Sequence, residues 1–239
     1  MNLTIQFSNM KFKLIAGLLI FSLFIFSCSD KKDESIADEP IENSDSIQYS
    51  EEPEIEKSAL ADVGTNSTFQ QWLKYFRQNG ADLSMVNFNL EKNRKLELMN
   101  GNIKAIFDSG FQEFYEPFLI YNPSKTMYLD IDSYHWTLDK EGMPLFEADQ
   151  EINLVNLKEK TVNRVAFFGP SYWVDDAFWV SDSIFILLEN NFDNQPDIQV
   201  FNLKENIISQ YSYSDSTRRP IEPAYILERL ESRGIISPN

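Results

Sequence analysis

Apolar and polar residues alternate with the two-residue period of a β-strand through two stretches of the chain, residues 151–160 and 197–206. The two stretches begin 46 residues apart and align without gaps, and both contain the tetrapeptide Asn-Leu-Lys-Glu at the same place. A second alternating segment follows each tetrapeptide, at residues 162–168 and 207–213. The pattern therefore predicts two β-hairpins that share one kind of turn.

Further strands are predicted ahead of each hairpin. Residues 177–180 and 184–188 precede the second hairpin, and the run 184–188 is apolar on both faces, as in a strand buried between two layers. Residues 127–131 and 134–138 precede the first hairpin. Together these strands predict two consecutive antiparallel sheets within residues 118–214.

One helix is predicted before the sheets. Ser67 or Thr68 is a suitable N-cap, the following aromatic face includes Trp72, and Gly80 is a suitable end. Between residues 81 and 115 the pattern fits helices or strands equally, so this region is mixed.

A second helix is predicted near the C-terminus, over residues 223–233. Tyr225, Ile226 and Leu230 share one face, and Gly234 follows the end. We expect this helix to pack on a sheet.

The 46-residue spacing and the four strands assigned to each copy resemble two consecutive blades of a β-propeller. Two blades cannot close a ring, so either helices cap the open faces or the sheets stack as a sandwich. We favour a mainly β (α+β) fold of two blade-like antiparallel sheets related by the 46-residue repeat and packed with an N-terminal and a C-terminal helix. The predicted globular domain is 68–239, divided into a mixed or helical part (68–117), the sheets (118–214) and the C-terminal helix (215–239).

The start of the chain has the order of a bacterial secretory leader. Lys11 and Lys13 precede an apolar run that is shorter than a membrane-spanning helix, and the only cysteine, Cys28, follows it. The segment resembles the lipobox of bacterial lipoproteins, with Phe26 in place of a smaller residue. The resemblance implies that residues 1–27 are a signal peptide and that Cys28 carries a lipid. An uncleaved anchor is the alternative, and translation can start at Met1 or Met10.

Residues 28–67 are strongly acidic, with twelve Asp and Glu against three Lys and little apolar material. Such a composition predicts a disordered tether. Residues 29–34 resemble the charged export signal of surface lipoproteins of Bacteroidota, which implies an outer-membrane lipoprotein that faces the exterior. A periplasmic orientation is the alternative.

Composition excludes several classes of function. A formal charge of −16 argues against nucleic acid as a partner, since nothing neutralises phosphates collectively. A single histidine, His135, and no free thiol once Cys28 is acylated leave no ligand set for a zinc centre. We therefore expect no metal and no cofactor, and a membrane contact through the lipid alone.

The candidate binding residues are Tyr172 and Trp173, in a long and exposed-looking loop after Gly169, and Asp175 and Asp176, which follow that loop. Exposed aromatic rings suit a glycan or a peptide, whereas packing in a core is the alternative for each ring. Adjacent carboxylates on a strand would point to opposite faces and could not share one substrate.

Other acidic residues offer weaker candidates. Asp130 and Asp132 would share a strand face about 7 Å apart, a spacing that a glycosidase pair can use. His135 has no identifiable orienting carboxylate or nucleophile. Residues 190–197 are rich in oxygen ligands but lack the turn glycine and distal glutamate of a calcium loop, and they indicate a hairpin turn. We assign no catalytic residue.

The sequence therefore predicts a membrane-anchored binding or assembly module whose partner is a glycan, a peptide or an envelope protein. The alternative is a glycan-acting hydrolase that uses strand-borne carboxylates. A structural subunit whose open sheet edges pair with a partner is a third interpretation.

Overall fold

The computed structural model describes residues 63–193, 195–214 and 224–236. All of them belong to one compact unit, Tyr49–Asn239. The predicted signal peptide 1–27, Cys28 and the predicted tether up to residue 62 lie outside the described residues. The described part is mainly β with antiparallel sheets, as the sequence predicts.

The strands of the described part are, in chain order, β1 (Phe88–Lys95), β2 (Met99–Asn100), β3 (Ile120–Tyr121), β4 (Met127–Asp130), β5 (Trp136–Leu138), β6 (Pro144–Phe146), β7 (Gln150–Asn156), β8 (Thr161–Phe168), β9 (Tyr172–Ser181), β10 (Ile184–Asn191), β11 (Asp197–Asn202) and β12 (Ile207–Tyr213). Sheet A has the order β1-β12-β11-β10-β9, and sheet B has the order β2-β8-β7-β4-β3. β5 and β6 form a separate hairpin.

The turns that join β7 to β8 and β11 to β12 have the same hydrogen bonds. Oδ1 of Asn156 accepts the N–H groups two and three residues ahead, both at 3.0 Å, and Oδ1 of Asn202 accepts the corresponding groups at 3.1 and 3.2 Å. Lys160 and Asn206 close the turns with φ of 52° and 56°. The shared tetrapeptide therefore folds alike in both places because its asparagine side chain replaces a backbone acceptor.

The predicted placement of residues 134–138 in the first sheet is wrong. β5 pairs only with β6, and the neighbours of β4 are β3 and β7. The chain turns directly after β4 because Oδ1 of Asp130 accepts the N–H groups of Asp132 and Ser133 at 3.1 and 2.9 Å. The turn ends the strand and directs the following segment into its own hairpin.

The sheets also extend beyond the predicted range 118–214. β1 and β2 come from the region that the sequence left open between helix and strand, and they form the outer strands of sheets A and B. β1 pairs with β12 from Phe88 opposite Tyr213 to Lys95 opposite Ile207, with an irregularity between Leu90 and Lys92. Since only its first residue is buried, β1 has no apolar alternation for the sequence to show.

An apolar layer lies between the two sheets. Sheet B contributes Leu129 and Ile152, and sheet A contributes Phe185 and Phe201, whose rings stack with centroids 4.6 Å apart. The opposite face of sheet A packs against a helix, α1 (Ser67–Gln78). β10 is thus buried on both faces, which explains its continuous apolar run.

Helix α1 begins one residue earlier than its predicted caps allow. The N-cap is Asn66, whose Oδ1 accepts the N–H groups of Thr68 and Phe69 at 2.9 and 3.3 Å. Gly80 follows the helix with φ of 84°, as predicted. Val63, which the predicted boundary assigns to the tether, is buried beside α1, so the packed region includes it.

The second helix, α2 (Tyr225–Ser232), ends before Gly234, which has φ of 74°. Tyr225 and Leu230 are buried, as the sequence predicts, and so is Arg229, which it does not. The predicted start at residue 223 lies outside the described residues.

Candidate functional site

A cavity of about 420 Å³ opens where β7 and β9 begin and β8 and β10 end. Its walls come from the chain before β9, the turn after β10, the β5–β6 hairpin with the chain beside it, and α2. The lining residues are His135, Phe146, Glu147, Ala148, Pro170, Tyr172, Trp173, Phe192, Ala224, Ile226 and Leu227.

One wall is held by the pairing of β9 with β10. Trp173 lies opposite Asn190, and the N–H of Phe192 donates to the carbonyl of Ser171 at 3.3 Å. The rings of Trp173 and Phe192 meet edge to face with centroids 5.7 Å apart. Tyr172 and Trp173 therefore line the cavity, but from a strand rather than from the predicted loop.

The facing wall comes from the β5–β6 hairpin and α2. Phe146 ends β6, and its ring centroid lies 5.8 Å from that of His135. The N–H of Glu147 donates to the carbonyl of His135 at 2.7 Å, which fixes the hairpin ends together. α2 presents Ile226 to the cavity, so the cavity depends on the position of this helix.

The described lining is mostly apolar, and its ionisable side chains are those of His135, Glu147 and Tyr172. Burial lowers the pKa of His135, against an opposing hydrogen bond, so the imidazole is neutral at pH 7. Its Nδ1 lies 3.2 Å from the carbonyl oxygen of Asp149 and donates to it, which leaves Nε2 as an acceptor. Such a cavity suits an apolar ligand better than a glycan, whose hydroxyls need many polar partners.

Asp175 lies behind the cavity and does not line it. The side chain is buried, and its two oxygens accept the indole N–H groups of Trp72 at 2.9 Å and Trp173 at 2.8 Å. Burial raises the pKa of Asp175 to about 6, although the two indole bonds lower it. The carboxylate therefore joins α1 and the cavity wall inside the fold.

Asp176 is also buried, and it holds α2. The hydroxyl of Tyr225 donates to it at 3.1 Å, and Nε of Arg229 lies 3.7 Å from its Oδ1. The two Nη atoms of Arg229 bind both oxygens of Asp132, at 2.8 and 3.3 Å. Two buried carboxylates therefore bracket one buried guanidinium, and this arrangement fixes the helix that forms a cavity wall.

Four residues were predicted for the site, and the structure divides them into two groups. Tyr172 and Trp173 line the cavity, whereas Asp175 and Asp176 position its walls from behind. Sequence reasoning missed Phe192 and Phe146. A single phenylalanine inside a turn of Asn, Asp and Gln was the available signal for Phe192, because turns lie at the surface.

Asp130 and Asp132 do not form a pair on a strand face, since β4 ends at Asp130. Asp130 accepts the hydroxyl of Ser133 at 2.6 Å, and Asp132 accepts the indole N–H of Trp136 at 2.9 Å as well as Arg229. Both carboxylates are buried and occupied by donors within the fold. Neither lines the cavity.

The turn after β10 is built by its own side chains. Oδ1 of Asn191 accepts the N–H groups of Asp193 and Gln195 at 2.9 and 3.1 Å. Within the described ranges, no group of three or more His, Cys, Asp or Glu side chains is arranged to hold a metal ion.

Comparison of the chain with protein-family models, with curated proteins and with solved structures finds no match. Across residues 63–193, 195–214 and 224–236, no helix has both the length and the apolarity needed to span a membrane. The site is therefore interpreted from its own geometry.

Proposed function

We propose that the protein is a lipid-anchored envelope protein that binds a small apolar ligand in the cavity between β9, the β5–β6 hairpin and α2. Support for the anchor comes from the leader and from Cys28 at its end. Support for the location comes from the acidic segment after Cys28, with its resemblance to an outer-membrane export signal. In this proposal the lipid holds the chain at the outer membrane, and the tether presents the sheets to the exterior.

We interpret sheets A and B as two blade-like units of one architecture. Taken from the first strand of each, the orders are β3-β4-β7-β8-β2 and β9-β10-β11-β12-β1. The shared turns between β7 and β8 and between β11 and β12 support the same interpretation. The cavity then lies where the chain leaves the first unit at the end of β8 and enters the second at β9.

The exposure of the aromatic rings at the cavity carries the binding proposal. Tyr172 is 49% exposed, Phe146 is 43% exposed and Phe192 is 73% exposed. Three such rings around one opening contribute little to the core, yet they would bury their surface against a ligand. Each buried ring contributes roughly 1–2 kcal/mol to binding by this measure.

The hydrolase alternative lacks a comparable observation. A glycosidase needs two carboxylates beside the bound sugar, one of which protonates the leaving group. Asp130, Asp132, Asp175 and Asp176 are all buried and bound to donors of the fold. Among the described lining residues, only Glu147 brings a carboxylate to the cavity.

The binding proposal can be tested with 4-tert-butylphenol, a soluble and uncharged probe. The full-length lipidated chain is labelled with 5-fluorotryptophan and placed in nanodiscs of neutral phospholipid. The chain has four tryptophans, and Trp173→Phe assigns the resonance of the one in the cavity. We expect a saturable shift of the Trp173 resonance in ¹⁹F spectra, with the Trp179 resonance unchanged because that ring packs between the two sheets and does not line the cavity.

Two alanine variants provide the matched comparison. Phe192→Ala should weaken binding of 4-tert-butylphenol about fivefold, since it removes one aromatic contact. Phe167→Ala removes another exposed phenylalanine ring, 47% exposed, that does not line the cavity, and it should leave the affinity unchanged. No saturable shift at Trp173, or equal weakening by both variants, would contradict the proposal.

A further inference from the structure

The cavity that we propose as the binding site carries one formal charge, and that charge is negative. Glu147 is exposed at the opening, and the described lining contains neither lysine nor arginine. His135 adds an acceptor, Nε2, because its Nδ1 is used by the carbonyl of Asp149. An anionic ligand would therefore meet repulsion and find no charged donor among these lining side chains.

Four aromatic rings belong to the remaining lining. The faces of Phe146, Tyr172, Trp173 and Phe192 carry the negative part of the ring quadrupole, which attracts a cation within about 6 Å of a ring centroid. The whole chain also attracts cations at long range, because its formal charge is −16. The ring faces, the single carboxylate and the net charge all favour a positively charged ligand.

We infer that the ligand is a small organic cation with an apolar body, a substituted ammonium whose charge lies among the rings beside Glu147. The apolar body fills the cavity between Trp173 and Ile226. A substituted ammonium suits such rings because it is weakly hydrated and loses little when it leaves water. The inference rests on the proposed function, since it uses the same cavity.

Three probes of matched shape separate charge from apolar contact. They are (4-hydroxyphenyl)trimethylammonium, the neutral 4-tert-butylphenol and the anionic 4-hydroxybenzenesulfonate, each titrated at pH 7 against the fluorotryptophan-labelled full-length chain in neutral nanodiscs. We expect the cation to bind at Trp173 about fivefold more tightly than the neutral probe. The sulfonate should bind more weakly than either.

Glu147→Gln tests the role of the carboxylate without changing its size. We expect it to weaken binding of the cation about threefold and to affect binding of the neutral probe by a smaller factor. Glu141→Gln removes an equal charge from the turn of the same hairpin, away from the lining, and should leave both affinities unchanged.

The outcomes distinguish the inference from the proposed function. A neutral probe that binds at Trp173 as tightly as the cation would overturn the inference and leave the binding site standing. An equal effect of Glu147→Gln on both probes would also overturn it. If none of the three probes shifts the Trp173 resonance, the binding function itself is refuted.

Discussion

We expect the replacement of Arg229 by methionine to lower the free energy of unfolding by about 3–5 kcal/mol. Methionine keeps most of the volume of the arginine stem but removes the charge. Asp132 loses two hydrogen bonds, at 2.8 and 3.3 Å, and Asp176 loses its ion pair at 3.7 Å. Two buried carboxylates then have no cation beside them, which is the costly way to break a buried ion pair.

Arg233 provides the matched control for this prediction. It is the C-cap of α2, it is exposed, and its guanidinium lies 4.9 Å from the ring centroid of Phe118. We expect Arg233→Met to cost less than about 1 kcal/mol. Urea unfolding followed by circular dichroism measures both variants. Equal losses for Arg229→Met and Arg233→Met would contradict the assigned role of Arg229.

A second variant separates the charge effect from simple packing. Adding Asp132→Asn to Arg229→Met removes one of the uncompensated charges, so the double variant should be more stable than Arg229→Met alone. Because α2 forms a wall of the cavity, Arg229→Met should also weaken the binding of 4-tert-butylphenol. The double variant should recover part of that affinity. A double variant that is less stable than the single one would show that the carboxylate is not the source of the loss.

We expect the second large effect at Glu189, whose ionisation lowers the free energy of unfolding as pH rises. Its carboxyl is buried on β10 and accepts an N–H of Gln199 at 3.0 Å, and Oε1 has no hydrogen-bond partner among the residues that the structure describes. Burial raises the pKa of Glu189 to about 8 from an ordinary value of 4.5, and Asp197 on the neighbouring strand adds to the rise. Gln199 and Arg94 act in the opposite direction.

The direction of the pH effect follows from proton binding. The folded chain keeps the Glu189 proton up to pH of about 8, whereas the unfolded chain releases it near 4.5. Unfolding therefore releases a proton in this window, and the free energy of unfolding falls as pH rises from about 4.5 to about 8. The slope is at most about 1.4 kcal/mol per pH unit, and the total is on the order of 5 kcal/mol.

Glu189→Gln removes this contribution, because an amide of the same size does not ionise. We expect the variant to be more stable than the wild type at pH 9 and similar to it at pH 5, by urea unfolding at several pH values. Glu205→Gln, at an exposed position in the turn after β11, should keep the wild-type slope. If the free energy of unfolding of Glu189→Gln falls with pH as steeply as that of the wild type, Glu189 is not the source of the pH dependence.

The parts of the fold that the sequence predicted are those with a local pattern. The run from Ile184 is apolar on both faces because sheet A packs on sheet B on one side and on α1 on the other. The two Asn-Leu-Lys-Glu turns depend on side-chain bonds to residues two and three positions ahead. Gly80 and Gly234 end their helices through positive φ. Each signal lies within a few residues of its effect.

The parts that the sequence missed depend on distant partners. β1 is an outer strand whose residues after Phe88 are exposed, so no alternation marks it. Asp175 is held by Trp72, 103 residues earlier, and Asp132 by Arg229, 97 residues later. Polar residues in such positions resemble a solvated loop until their donors are known. For this reason the sequence offered Asp175 as a ligand-binding candidate.

The candidate site was half predictable for the same reason. Tyr172 and Trp173 are conspicuous because they follow Gly169 and Pro170, which punctuate the chain. The facing wall is supplied by Phe146 and α2, and only the fold brings these next to β9. Local patterns could identify one wall of the cavity, whereas the cavity itself required the structure.

The most direct test of a lipid-anchored binding protein is the intact mass of the chain extracted from the membranes of a bacterium that processes lipoproteins. We expect the mass of a chain that begins at Cys28 and carries acyl groups, and we expect Cys28→Ser to lose the acyl mass and the membrane association. A wild-type chain that begins at Met1 or Met10 and carries no acyl group would contradict the account.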